Sequence, residues 1–238
     1  MSVTRQMIHV ALGYPGRLVA YGVMAFVLGQ VLYDVVLDQG SEIIGQEDGV
    51  VERTQAVLAT FGAVAFFVAA TKSTYGKAGL VLCGALAGYA AGRECDQWLE
   101  AHLFNDAYKY LIGVPLLAMT VVVVWKNRRT AIADSLPLAR TPAITMFGIA
   151  GVYLCAVCQV FDRPDFWAGI ADHDNALAIK TLVEEFAEIF GYLLIAFAGV
   201  EAVLDAWTGY SYRNDSSLWD RGFPEEESQV SDRQTTSG

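Results

Sequence analysis

The chain has 238 residues, of which 54% are hydrophobic and only 18% are charged. Soluble domains usually carry about a quarter charged residues, so this composition excludes a soluble domain for most of the chain. A net charge of −10 excludes nucleic acid as a partner.

Six apolar segments follow one another along the chain. A hydrocarbon core about 30 Å thick needs roughly 20 apolar residues in a helix, and backbone groups in lipid must be hydrogen-bonded within the segment. The predicted spans are Leu18–Leu37, Gln55–Thr71, Ala78–Gly92, Tyr110–Trp125, Ala143–Phe161 and Thr181–Ala206. We therefore predict an all-α, polytopic transmembrane helical bundle of about six helices over residues 1–209. Residues 210–238 are predicted to be a polar, disordered cytoplasmic tail.

The positions of Lys and Arg predict how the bundle is oriented. One set of loops carries eight basic residues, including the cluster Lys126, Arg128 and Arg129, and the opposite set carries five. Because cytoplasmic loops are enriched in Lys and Arg, the first set is predicted to face the cytoplasm. Both termini are then cytoplasmic, and we predict a multi-pass protein of the inner membrane.

Carboxylates gather at the predicted outer ends of five of the six helices. Glu184 and Glu188 lie about 40° apart on one helical face, and Glu185 lies close to that face. On the third helix, Arg93, Gln97 and Glu100 are predicted to share a face. The candidate metal-site residues are Glu94, Asp96, Glu184, Glu185 and Glu188. The supporting polar cluster is Asp48, Glu52, Arg93, Gln97 and Asp162.

Three interpretations of this acidic cluster stay open, because carboxylates at membrane depth need something that neutralises them. The first is an ion-pair network with Arg53, Arg93 and Arg163. The second is a divalent cation: oxygen ligands suit Ca²⁺, Mg²⁺ or Mn²⁺, and His102 or His173 would add Zn²⁺. The third is a protonated glutamate that moves protons.

Two further motifs have structural interpretations. Gly84, Gly88 and Gly92 recur every four residues on the third helix, a small-residue face that predicts close packing against a neighbouring helix, for which the last helix is the candidate. Cys155 and Cys158 form a CxxC in the fifth helix, at the level where membrane thiol oxidoreductases carry theirs. We interpret the pair as packing residues, because small cysteines inside a helix are typical of a core.

Three stretches resemble a group of uncharacterised bacterial multi-pass inner-membrane proteins with no assigned activity. They are "QEDGVVERTQAVL" at Gln46–Leu58, "RECDQWLE" at Arg93–Glu100 and "KTLVEEFAEIFGYLL" at Lys180–Leu194. The resemblance covers most of the membrane body and implies a topology, with no reaction attached.

The sequence predicts a carboxylate-rich pocket at the extracytoplasmic side that binds a cation and recognises or acts on a lipid head group. Membrane lipids are the predicted partners, and no catalytic residue is assigned. The alternative is a non-enzymatic membrane protein, either a small transporter or an assembly factor, in which the acids form an ion-pair network or a proton path.

Overall fold

The structure, a computed structural model, describes residues 13–39, 49–168 and 173–208. This part of the chain is helical and contains no strand, so the predicted all-α class is confirmed. The predicted tail at 210–238 lies outside the described residues. The helices, numbered here in chain order, are α1 Tyr14–Gln39, α2 Val50–Lys72, α3 Lys77–Arg93, α4 Asp96–His102, α5 Lys109–Lys126, α6 Arg128–Ala139, α7 Pro142–Phe161, α8 Pro164–Ala168 and α9 His173–Thr208.

Five helices of the described part are long and apolar enough to cross a membrane: α1, α2, α5, α7 and α9. The chain is therefore a multi-pass membrane protein. The third predicted span lies within α3, which has 17 residues. At about 1.5 Å per residue, such a helix is shorter than a hydrocarbon core of about 30 Å. Flanking residues at its ends are needed to complete a crossing.

The spanning helices and α3 run alternately up and down the bundle. At one end, side chains from the start of α2 and from the residues after α3 and α7 contact the first half of α9. We call this the acidic end. At the opposite end, Arg17 of α1 pairs with Glu201 of α9, and Tyr75 between α2 and α3 donates a hydrogen bond to Asp205. The chain thus enters α1 and leaves α9 at the same end of the bundle.

Helix α9 is the centre of the packing, with α2 and α7 against it, α3 against α2, and α5 against α3. Small residues make the α2–α9 contact close. A Cβ atom at Gly199 would lie 2.8 Å from Ala65 Cβ and 3.0 Å from the Gly62 carbonyl oxygen. Only glycine permits this approach of the two backbones. Gly62 and Gly199 therefore build a close backbone crossing of α2 and α9.

The glycine face of α3 has a different role from this backbone crossing. A Cβ at Gly84 would meet the Phe67 side chain of α2, while one at Gly92 would meet Ile112 of α5. Gly88 likewise faces Leu116 of α5. The face therefore accepts large side chains from two helices. The expectation that it packs α3 against the last helix is wrong.

Local irregularities interrupt the predicted helix register. Helix α3 ends at Arg93, a turn follows, and α4 begins at Asp96. The predicted common face of Arg93, Gln97 and Glu100 on one continuous helix is therefore wrong. The chain also has π-helical turns, at Lys109–Gly113 where α5 begins and at Tyr153–Cys158 within α7. Such a turn inserts an extra residue into a helix and rotates the next turns about the helix axis.

Candidate functional site

A fully buried glutamine meets an acid of α9 at the acidic end. Gln55 Nε2 donates a hydrogen bond of 2.8 Å to the carboxylate of Glu185. The Oε1 atom of Gln55 is buried and has no partner among the described residues. An unpaired buried acceptor costs about 1–3 kcal/mol. A hydrogen-bond donor from outside the chain would therefore be stabilising at this oxygen.

Glu94, directly after α3, is the most enclosed carboxylate of this end. Its side chain is 7% exposed and accepts a 2.6 Å hydrogen bond from the hydroxyl of Tyr192. The Nε atom of Arg93 lies 3.7 Å from the same carboxylate oxygen. Burial raises the pKa of Glu94, whereas the hydrogen bond from Tyr192 and the positive charge of Arg93 lower it. One cation at this distance offsets the burial only in part.

Glu188 lies between these two contacts. Its charge interacts with those of Glu94, Glu185, Arg93 and Glu184. Among the described residues, no group forms a hydrogen bond with the carboxylate of Glu188. Three of its charged neighbours are acids and one is basic, so negative charge is in excess here. This excess favours a proton or a cation from outside the chain.

Lys180 forms a separate ion-pair group at the start of α9. Its Nζ atom lies 2.8 Å from Asp162 Oδ1 and 3.1 Å from Glu184 Oε2. The hydrogen bond from Lys180 lowers the pKa of Asp162 below its ordinary value. The cations predicted from the sequence to neutralise the acids are Arg53, Arg93 and Arg163. Of these three, only Arg93 forms an ion pair within the described part of the chain, with Glu94. The second cation of the acidic end that forms ion pairs is Lys180, which is not among the predicted ones.

The predicted metal site is not supported by this geometry. Within the described ranges, no three His, Cys, Asp or Glu side chains converge closely enough to hold a metal ion. The carboxylates are held apart by different partners: Tyr192 engages Glu94, Gln55 engages Glu185, and Lys180 engages Glu184. Glu188 and Asp96 are the other two predicted metal ligands. Asp96 begins α4, and it acts on Arg93 and Glu94 only through its charge.

Several other predicted members lie apart from the cluster. Gln97 is exposed on α4. His102 is exposed, and its ring stacks on Trp98 with Nδ1 2.8 Å from the Trp98 carbonyl oxygen. Asp48 and the side chain of His173 lie outside the described residues. The supporting residues that do reach the site are Glu52, Arg93 and Asp162.

A cavity of about 430 Å³ opens beside Glu94, between the start of α2 and the turn from α3 to α4. Its wall carries two acids, one base and one indole ring. The lining residues are Glu52, Arg53, Ala56, Val57, Glu94, Cys95 and Trp98. Ligand pockets commonly have volumes of about 300–1,000 Å³ and a few convergent polar groups. The cavity therefore suits a small ligand that carries positive charge.

Gln55, Trp98 and Lys180 take part in this site but are not among its predicted members. Gln55 has the clearest signal, an amide at the start of a long apolar helix, where a polar group needs a buried partner. Comparison of the chain with protein-family models, with curated proteins and with solved structures finds no match. The function proposed for this chain therefore depends on the chemistry of the site.

Proposed function

We propose that this is a multi-pass inner-membrane protein whose acidic end faces the periplasm and binds the ammonium group of a lipid head group. The observation that carries the proposal is that Glu52 and Glu94 line one cavity together with Arg53 and Trp98. Two carboxylates suit an ammonium group, and an indole face binds such cations with about 0.5–2 kcal/mol. The guanidinium of Arg53 suits a phosphate on the same ligand.

The position of the cavity supports a lipid rather than a free solute. It opens where α2 begins and α3 ends, at the level where a bilayer has its head groups. Trp98 is 53% exposed on its rim, and tryptophan is enriched at membrane–water interfaces. A zwitterionic head group with an ammonium and a phosphate, such as phosphoethanolamine, matches both charge signs of the wall. The orientation follows from the basic residues of the opposite end.

The test is retention of lipid by the purified full chain. Protein in detergent is mixed with equal amounts of phosphatidylethanolamine, phosphatidylglycerol and phosphatidylcholine, and retained lipid is identified by native mass spectrometry. We expect phosphatidylethanolamine to be retained preferentially, and Glu94→Gln to abolish that preference. Glu100→Gln is the matched control, because it removes one exposed acid of α4 outside the cavity. Equal retention of the three lipids by the wild type would refute the proposal.

A second candidate is a non-enzymatic transporter or assembly factor in which the acids form a structural network. Its support is that Glu94, Glu185 and Glu184 each have a partner within the chain. A proton path is less well supported. Between Tyr192 and Glu201, α9 buries apolar side chains, Ile195 and Phe197 among them. Such a layer leaves no carrier for a proton along this helix.

Neutralising Glu188 separates the two candidates. In the structural network, Glu188→Gln should leave lipid retention unchanged and raise the melting temperature slightly, because it relieves repulsion among four acids and breaks no side-chain hydrogen bond in the described part of the chain. In the head-group site, the same variant should also weaken retention of phosphatidylethanolamine, because the charge of Glu188 acts on Glu94 in the cavity wall although Glu188 does not line the cavity itself. A matched variant is Glu184→Gln, which breaks the ion pair with Lys180 and should act on stability instead.

A further inference from the structure

A second cavity, of about 450 Å³, lies at the opposite end of the bundle, where α5 turns into α6. Six consecutive residues line it, and we call them the basic corner: Trp125, Lys126, Asn127, Arg128, Arg129 and Thr130. Three of the six are cationic, and none is acidic. The corner is distant from the acidic end, since α5 runs the length of the bundle between them.

The three cations of the corner have no acidic partner among the described residues. Some cations of the described part do pair, Arg17 with Glu201 and Lys180 with Asp162 and Glu184, whereas Lys72, Lys77 and Arg140 at the same end as the corner form no ion pair within it. The cationic side chains of the corner are also exposed. The corner differs from the other unpaired cations in density, because three of its four consecutive residues from Lys126 to Arg129 are cationic and line one cavity of a protein whose net charge is −10. Such a patch attracts an anion from outside the chain.

The corner is placed at the depth of lipid phosphates. Helix α5, which is long and apolar enough to span a membrane, ends at Lys126. Trp125 is 67% exposed, as expected for an aromatic residue at the membrane–water interface. The guanidinium carbon of Arg128 lies 4.6 Å from the centroid of the Trp125 ring, a cation–π contact that holds both side chains at this level.

The backbone of the corner is fixed as well. The side-chain amide of Asn127 donates a 2.8 Å hydrogen bond to the carbonyl oxygen of Val123 in α5. The backbone N–H groups of Thr130 and Ala131 bond to the Asn127 carbonyl oxygen. The turn between the two helices is therefore tied at its centre. A fixed turn keeps the backbone positions of the three cations together, and the contact with Trp125 also holds the Arg128 side chain, which reduces the conformational entropy lost on binding.

We infer that the basic corner binds the phosphate of an anionic membrane lipid. The unpaired positive charges favour an anionic ligand. The position of the corner at the end of a membrane span indicates that this anion is the head group of a lipid. Basic pockets at the cytoplasmic ends of spanning helices bind anionic head groups, with about 1 kcal/mol from each Lys or Arg near the surface. That energy corresponds to about fivefold in affinity for each cation.

The test uses the full-length purified protein in a neutral detergent, titrated with short-chain phosphatidylglycerol and followed by native mass spectrometry. The variant Lys126→Gln/Arg128→Gln/Arg129→Gln should bind this lipid about a hundredfold more weakly than the wild type. Its matched control is Lys72→Gln/Lys77→Gln/Arg140→Gln, which removes the same charge from other exposed sites at this end of the bundle. The control should bind within about twofold of the wild type.

Three outcomes would overturn the inference: equal weakening in the two triple variants, which would show a diffuse charge effect; equal affinity for phosphatidylcholine; and competition by inorganic phosphate as strong as that by the lipid. If the triple variant does not fold, Arg129→Gln serves in its place. This exposed side chain makes no ring contact or ion pair in the described part, and its loss should weaken phosphatidylglycerol binding about fivefold. Unchanged binding by Arg129→Gln would likewise refute the assignment.

Discussion

The hydroxyl group of Tyr192 donates a 2.6 Å hydrogen bond to the carboxylate of Glu94, joining the middle of α9 to the end of α3. Both side chains are largely buried. Helix α3 packs mainly on α2 and α5, so this bond ties its outer end to the central helix. It also holds Glu94 in the wall of the cavity that we assign to a head group.

Replacing Tyr192 by Phe should destabilise the protein and make its stability more dependent on pH. A hydrogen bond to a charged group contributes about 1.5–3 kcal/mol. The pKa of Glu94 is already raised by burial, and it rises further without this donor. A carboxyl group whose pKa is higher in the folded protein than in the unfolded chain favours folding while it is protonated. This contribution is complete below the pKa of the unfolded chain, and it is lost as the pH rises through the pKa of the folded protein. Tyr192→Phe should therefore lower the melting temperature more at neutral pH than at acidic pH.

The measurement is a pair of melting curves in detergent, at neutral pH and near the ordinary carboxyl pKa. Tyr110→Phe is the control, because Tyr110 is 62% exposed at the start of α5. A loss for Tyr192→Phe that is larger in acid would contradict the raised pKa of Glu94.

At the other end of α9, Glu201 is 3% exposed and is held by Arg17 and Tyr21. Arg17 donates two parallel hydrogen bonds, of 2.7 and 2.8 Å, and the Tyr21 hydroxyl donates one of 2.7 Å. Arg17→Gln should cost about 3 kcal/mol, since it leaves a buried carboxylate without its cation. The double variant Arg17→Gln/Glu201→Gln should be more stable than Arg17→Gln alone. Unfolding in SDS measures both, and a double variant that loses the sum of the single losses would contradict the pairing.

The helices could be predicted from the sequence, because apolar runs of about 20 residues have one stable conformation in lipid. The end of α3 could not be predicted in this way. The stretch after Arg93 continues with residues that a helix accepts, and the turn there depends on tertiary contacts such as that between Tyr192 and Glu94. Periodicity assigned Gln97 to a helical face that this turn interrupts.

Acids of the site could also be predicted from the sequence, because charge at membrane depth is conspicuous. Partners on other helices could not, among them Gln55 of α2 for Glu185 and Tyr192 of α9 for Glu94. The pair of Lys180 and Glu184 is different, because its members lie one turn apart on α9 and their spacing alone permits the contact. The predicted metal site assumed that carboxylates near one membrane surface converge. The structure instead divides them among separate partners.

The orientation in the membrane is tested by reporter fusions. Fusions at residues 45, 75, 105, 132, 170 and 215 should report alternately outside and inside, beginning outside. Tyr75 and Asp205 meet at the end that should be cytoplasmic, and position 132 lies in α6 at the same end. An outside signal at 132 would contradict the orientation and, with it, the periplasmic placement of the acidic cavity.

Cys155 and Cys158 are both free, and they differ in burial: Cys155 is exposed and Cys158 is 1% exposed. Both lie inside α7, a helix that can span a membrane, where the charged thiolate that a catalytic CxxC needs is costly, so we expect no redox activity. A lipid-soluble maleimide should label Cys155 and leave Cys158 unlabelled. The variant Cys155→Ser/Cys158→Ala should retain phosphatidylethanolamine as the wild type does. Trapping a mixed disulfide through Cys158 would contradict this assignment.

The crossing of α2 and α9 offers the sharpest test of the packing. A Cβ atom at position 62 would lie 2.7 Å from Ile195 Cγ2 and 3.0 Å from the Ile195 carbonyl oxygen, so a methyl group there must displace backbone. Overpacking of this kind costs about 1–3 kcal/mol, and Gly62→Ala should lower the melting temperature in detergent accordingly. Gly148→Ala is the control, because nothing lies within 4 Å of the added atom. Removing a helical glycine there should be neutral or stabilise by about 0.5–1 kcal/mol. Equal melting temperatures for the two variants would contradict the close approach of α2 and α9.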